Sequence, residues 1–171
     1  MDELIYNQHR IPKNQWRYGL RPSSATGCGW IATHNALHLL GYRENIPDLI
    51  RYYESQLPLI NGNLGTMICG PVLCFQRWGF PVETFFDPRQ YDEAARAADV
   101  CILFYYWHRG LKSGAHFVAL RHCEDGFVGY NTFRNSVGPD LYGPSLRDFL
   151  KDHGYFPSSL ICIRKKPHSG I

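Results

Sequence analysis

Cys28 stands between two glycines in "SSATGCGWIATHNALHLLG" (23–41), where a polar stretch gives way to an apolar run. A helix that begins at this cysteine surrounds the sulfur with unpaired backbone N–H groups and the positive end of the helix dipole, and both favour thiolate. Gly27 and Gly29 leave room beside the sulfur for a substrate backbone. The competing use of the position is a small buried helix residue, and Gly-Cys-Gly is too short a string to decide alone. A second segment, "SGAHFVALRHCEDGFVGYNTF" (113–133), adds the missing chemistry. It places His116 after the small residues Gly114 and Ala115, at the start of an alternating strand, and Asn131 at the end of the next. A nucleophilic thiol needs a base for its proton. The base needs an acceptor that fixes its tautomer and ring direction. Histidine and asparagine on neighbouring strands can fill those two roles.

Strand register sets a condition on that pairing. In an antiparallel hairpin His116 opposes Asn131 only across a four-residue loop, His122 to Asp125. A tight turn at Asp125-Gly126 instead pairs Asn131 with Leu120, leaving His116 four positions and about 13 Å away. The longer loop, or departure of Asn131 from the sheet, is required.

These residues need a helix and a sheet to carry them. The spacing predicts a helix over 28–40, ended by Gly41, with Trp30, Ile31, Ala32, Ala36, Leu37, Leu39 and Leu40 covering most of its circumference. A helix that apolar belongs inside the domain. A second helix is expected over 46–56, with Pro47 in its first turn. The segment 64–80 reads as one short helix or two, interrupted at Gly70-Pro71. Strand patterns occur at 3–6, 81–86, 100–107, 115–123, 126–133 and 159–165, and helices at 91–98 and 146–154. Helices come first and a mostly antiparallel sheet follows, which is the α+β pattern. Gly and Pro punctuate the chain evenly, with no repeat and no low-complexity linker, so residues 1–171 read as one domain.

At this point a resemblance emerges. An early cysteine opening a long apolar helix, then a strand-borne His-Phe-Val, then "DGFVGYN", resembles the papain-like cysteine peptidases. The nearest branch is the compact bacterial kind related to bacteriocin-leader-processing (double-glycine) peptidases. Its signature is similar to "IYNQ" (5–8), "WRYG" (16–19), "GCG" (27–29) and "IATHNAL" (31–37) here. The likeness spans residues 5 to 133, with three short blocks carrying its specificity. It implies a papain-like α+β fold, with Cys28 as nucleophile, His116 as base and then acid, and Asn131 as orienter. It also implies a glutamine whose side-chain amide joins the Cys28 N–H in an oxyanion hole. Gln8 and Gln15 compete for that role, and Gln8 fits the branch pattern better. Two departures stand out. Trp30 follows "CG" where the family usually has a small residue or proline, so it could narrow the substrate groove, which Gly27, Gly29 and Ala115 would also line. Asn131 stands where this branch more often carries Asp, although asparagine can accept from an imidazole. The resemblance implies hydrolysis of an amide bond in a peptide or peptide-like substrate through an acyl-enzyme, with no cofactor. Acyl transfer or non-peptide amidase action by the same pair, and a papain-like binding module without activity, remain open alternatives.

The other candidate groups have plainer uses. His34 and His38 have metal-capable spacing but lack the glutamate of His-Glu-x-x-His and a third ligand, so they read as surface or cleft-edge histidines. His108, His122 and His153 sit near element ends and are expected to face water, and His122 is the one rival base. The remaining cysteines, 69, 74, 101, 123 and 162, read as buried reduced thiols. Cys69 and Cys74 lack the second pair a zinc site needs, so no metal is expected. The run "FYYWH" (104–108) reads as a buried strand flanking the site, with Trp107 a possible shield. Asp87-Pro88 and the Asp140/Gly143 segment read as turns.

Bulk properties narrow the partners. The 171 residues carry a net charge of +3, too small for a nucleic-acid or membrane footprint. Hydrophobic residues at 44% and charged residues at 19% are those of a folded domain. Aromatic residues at 15% suggest broad packed surfaces or a ring-lined cleft. No signal-peptide run opens the sequence, and none approaches the roughly 18 apolar residues that span a bilayer. A cytoplasmic location is the expectation.

Overall fold

The computed structural model describes residues 4–55 and 66–167. Ahead of the central helix, the polar segment contains a 3-10 turn at Gln8–Arg10 and a two-strand ribbon of Arg17–Tyr18 (β1) and Arg21–Pro22 (β2). A single helical turn, Ser23–Thr26 (α1), follows. The strand expected at 3–6 is not formed over residues 4–6, and residue 3 lies outside the described residues. Asn7 explains why nothing extended continues there. Its side chain accepts from the His9 N–H and caps the 3-10 turn, a local bond that competes with strand pairing.

Cys28–Leu39 forms the predicted central helix (α2). Its almost wholly apolar circumference buries it. Gly41, at φ +88, ends it. The Gly41 amide donates to the His38 carbonyl at 3.1 Å and the Tyr42 amide to Leu37 at 2.9 Å, the paired closing bonds that a left-handed glycine permits. Ile46–Ser55 (α3) turns Ile46, Leu49, Ile50 and Tyr53 inward. The expected helix end at Gln56 and the start of the 64–80 segment lie outside the described residues. Gly70–Arg77 (α4) begins at Gly70-Pro71 and is not interrupted by it, because a first-turn proline forfeits no helical bond.

Six strands make one antiparallel sheet: Val82–Phe85 (β3), Val100–Arg109 (β4), Lys112–Cys123 (β5), Gly126–Tyr130 (β6), Asp140–Gly143 (β7) and Tyr155–Ile163 (β8). Their spatial order is β3-β8-β4-β5-β6-β7. The Asp140–Gly143 segment, expected as a turn, pairs with β6 as an edge strand. Tyr91–Ala97 (α5) and Leu146–Asp152 (α6) cover one sheet face, where Leu103, Val118, Phe127, Leu146 and Phe149 share a core. α2 and α4 cover the other, where Ala32, Ala36, Phe75, Ile102, Phe117 and Ile161 share a second. A third cluster, with Trp30, Ile31, Leu49 and Tyr53, joins α2 to α3.

The β5–β6 hairpin decides where Asn131 goes. Cys123 opposes Gly126 across a two-residue turn, Glu124-Asp125, and Ala119 opposes Tyr130. The four-residue loop is therefore not the one used. Continued pairing would set Asn131 against Val118, two positions past His116. Instead β6 ends at Tyr130, and Asn131 takes a left-handed φ of 71°. The chain leaves the sheet at the residue where the sequence required it to.

Candidate active site

The start of α2 and the open edge of β5 meet at the Cys28 sulfur. Burial pushes the Cys28 thiol up, and outweighs the downward pull of the amides of Phe117, Gly29 and Cys28 itself, which point at the sulfur. The helix-mouth donors expected from the sequence are present. The lowering expected of them is outweighed, because the half-buried site also removes solvent.

His116 has a defined tautomer. Its Nε2 lies 2.6 Å from the main-chain oxygen of Asn131. A carbonyl only accepts, so Nε2 carries the proton, and in the neutral ring Nδ1 keeps a lone pair. Burial pushes the imidazole down; the bond to Asn131 opposes the fall, and the nearby His9 adds to it. Tyr105, its partner on β4, meets the ring edge-on with centroids 5.9 Å apart.

Asn131 thus meets His116 through its main chain and not through the side-chain oxygen that was expected to accept from the imidazole. Its Oδ1 accepts from the Gln8 N–H at 2.7 Å, and its Nδ2 donates to Gln8 Oε1 at 3.1 Å. The left-handed backbone is the physical reason. Asparagine tolerates it better than most residues, and it brings the carbonyl to the ring. Gln8 is 5% exposed, and its Nε2 donates to the Ser24 carbonyl at 3.3 Å. Gln15 is exposed in a turn, its main-chain N–H donating to the Pro12 carbonyl at 3.0 Å. Of the two glutamines, Gln8 is the one beside the site. Hydrogen bonds run from His116 to Asn131, from Asn131 to Gln8, and from Gln8 to Ser24, four residues before Cys28.

The groove candidates fare differently. Trp30 is fully buried, donates to Ser23 Oγ at 3.2 Å and packs edge-on against Trp16, so it does not narrow a groove. The space beside Gly27 and Gly29 is taken by protein. A Cβ at Gly27 would lie 2.6 Å from Trp30 Nε1, and one at Gly29 would lie 2.2 Å from Thr66 Oγ1. Ala115 is exposed next to His116 and opposite Tyr106. Trp107 lies across Gly114, where a Cβ would come within 2.6 Å of its ring. An apolar hollow of about 510 Å³, lined by Met67, Ile68, Cys69, Val72, Thr84, Phe86 and Ser159, adjoins this face of the sheet. Val72 also packs in the cluster that Cys28 touches.

His122, the rival base, is exposed against Phe127 and lies six residues along β5 from His116, about 20 Å away. His34 is buried at 3% exposure and not at a cleft edge. His153 is half-buried, stacked on Tyr155 with Nδ1 2.9 Å from the Phe149 carbonyl, and does not simply face water. Cys74, Cys101 and Cys162 are buried free thiols, as expected; Cys69 is exposed and Cys123 half-buried. Among the described residues, no three His, Cys, Asp or Glu side chains converge, and no helix is long and apolar enough to cross a membrane. What the sequence could not flag is the Phe117 amide and the Ser24 carbonyl, since main-chain groups carry no residue-type signal.

No protein-family model matches the chain, and no curated protein matches it. Among solved structures it is similar to the peptidase domain of Streptococcus ComA, described as a bi-functional ABC transporter involved in a quorum-sensing pathway. The TM-score is 0.55 at 15% identity, over 88% of this chain and 100% of that one. The likeness shows the fold: α+β and papain-like, with helices packed on a mostly antiparallel sheet.

Proposed function

We propose that the chain is a thiol-dependent peptidase, with Cys28 as nucleophile and His116 as its base. The observation that carries this is the tautomer. The Asn131 carbonyl holds the His116 proton on Nε2, leaving Nδ1 as the nitrogen that can take a proton, while the amide of the next residue along β5, Phe117, pulls the Cys28 thiol down. Burial disfavours a lone charge on either partner, so proton transfer accompanies attack. Sulfur bonds to the carbonyl carbon as its proton passes to Nδ1. The imidazolium then gives that proton to the leaving amine as the C–N bond breaks. His116, neutral again, takes a proton from the water that attacks the thioester and returns it to the Cys28 sulfur as the C–S bond breaks.

The oxyanion would receive the Cys28 N–H and the Gln8 side-chain amide, a role the family resemblance implies for such a glutamine. Gln8 Nε2 has only a long bond to Ser24 to exchange for it. The substrate is a peptide, laid along the exposed β5 edge at Ala115 with an apolar side chain reaching the hollow at Val72.

The test is digestion of a mixed peptide library by the unsubstituted protein and by Cys28→Ala, with glycinamide present and absent. Cleavage to free acids that Cys28→Ala abolishes is the expected result. Amine-capped products would move the reading to acyl transfer. No cleavage by the unsubstituted protein would overturn it in favour of a binding module.

A further inference from the structure

Residues 5–8 cross from α2 to the 131–136 corner without joining the sheet, and side-chain amides hold them there. Asn35, fully buried in the middle of α2, accepts from the Ile5 N–H at 2.8 Å and donates to the Ile5 carbonyl at 2.8 Å. Both polar atoms of this amide are spent on one backbone residue, as a neighbouring strand would spend them. Two residues on, Asn7 donates to the Arg134 carbonyl at 2.6 Å and the Ser136 carbonyl at 3.3 Å. The receiving corner is itself fixed, since Ser136 Oγ donates to Asp140 at 2.6 Å and accepts from the Phe133 amide at 3.0 Å.

One side of this strap is thus pinned to the helix that carries Cys28, and the other to the corner whose carbonyl orients His116. Gln8 follows directly after the second pin. Its own bonds reach the Asn131 side chain and the Ser24 carbonyl, and the bonds at Ile5 and Asn7 fix the backbone that carries it to α2 and to the corner. A buried amide in an otherwise apolar helix is stabilising only when its partners are supplied, and Asn35 has them only while the strap is seated.

We propose that Asn35 and Asn7 are positioning residues that hold the Gln8 side-chain amide in register with Cys28. The inference rests on the peptidase reading, in which Gln8 receives the oxyanion. Because the strap is clamped by side chains and not woven into the sheet, its release is a local opening that leaves the core folded.

The experiment compares two probes of Cys28 in Asn35→Ala, Asn7→Ala and the unsubstituted protein. A peptide aldehyde adds to the thiol and forms an oxyanion. Iodoacetamide alkylates the same sulfur without forming one. In both variants aldehyde affinity and kcat are expected to fall by about tenfold or more, with KM unchanged. The alkylation rate and its pH profile are expected to stay within about twofold, while hydrogen exchange at Ile5 and Gln8 rises. Unchanged aldehyde affinity despite faster exchange would overturn the inference, and so would equal losses with both probes. An unsubstituted protein that binds no aldehyde and cleaves no peptide would instead remove the peptidase reading on which the inference stands.

Discussion

Strand β5 has two unlike regions, and each carries a histidine. Around Ala119 and Leu120 the strand is paired on both sides, and His122 continues the β6 ladder opposite Phe127. From His116 to Val118 it pairs with β4 alone, because β6 has ended at Tyr130. In a fully paired strand the ladder would claim the outward main-chain donors. Here the His116–Val118 edge is left without a second strand partner, and the Phe117 amide pulls the Cys28 thiol down against burial. The Asn131 carbonyl, freed from the same ladder, turns to His116. The site is made from hydrogen bonds that the sheet gives up.

Removing the nucleophile breaks the comparison most completely. Cys28→Ala is expected to lower peptide hydrolysis by about 10⁴-fold or more while leaving the thermal transition nearly unmoved. The two histidines then separate the regions of β5. His116→Ala should cost about 10² to 10⁴ in kcat. His122→Ala, on the paired region, should leave kcat unchanged and shift stability by no more than about 0.5 kcal/mol.

The corner where β6 departs is next. Asn131→Ala keeps a strained left-handed backbone and loses both bonds to Gln8, for an expected loss of about 2–3 kcal/mol by chemical denaturation. Asn131→Gly should regain the strain component, since glycine adopts this conformation freely, yet should not regain the Gln8 contacts. Equal losses in both variants would show that strain is not part of the cost.

Gly29→Ala tests the packing beside the nucleophile. Its Cβ would lie 2.2 Å from Thr66 Oγ1, so a loss of about 1–3 kcal/mol is expected. A neutral result would return Gly29 to the role of open floor for a substrate.

The smallest expected effect is on pH dependence. Burial holds the folded His116 below its ordinary range, so the folded state binds this proton less readily than the unfolded chain. The stability so contributed is fully present above the ordinary histidine pKa, about 6.5, and is lost as pH falls through the lower folded value. Acid titration of stability should therefore be shallower in His116→Gln.

Much of this arrangement was legible before any coordinates. The apolar circumference of α2 and the glycine at 41 fixed the central helix, and Cys28, His116 and Asn131 stood out by type and setting. The hairpin register even stated the condition on Asn131. What the sequence did not show were outcomes of folding choices between equals. Asn7 prefers its local cap to a strand, and Trp30 enters the α2–α3 core, where its indole finds Ser23. Asn131 turns its carbonyl, and not its amide, to the imidazole. The helix dipole likewise reports on the helix end but not on the solvent removed from around it, which pushes the Cys28 thiol up.

Rapid-quench intact-mass measurement with an activated peptide ester tests the central claim most directly. An acyl adduct on Cys28 is expected to form within one turnover, to be absent in Cys28→Ala and to form far more slowly in His116→Ala. An adduct on the exposed Cys69, or one on Cys28 whose rate ignores the loss of His116, would contradict it.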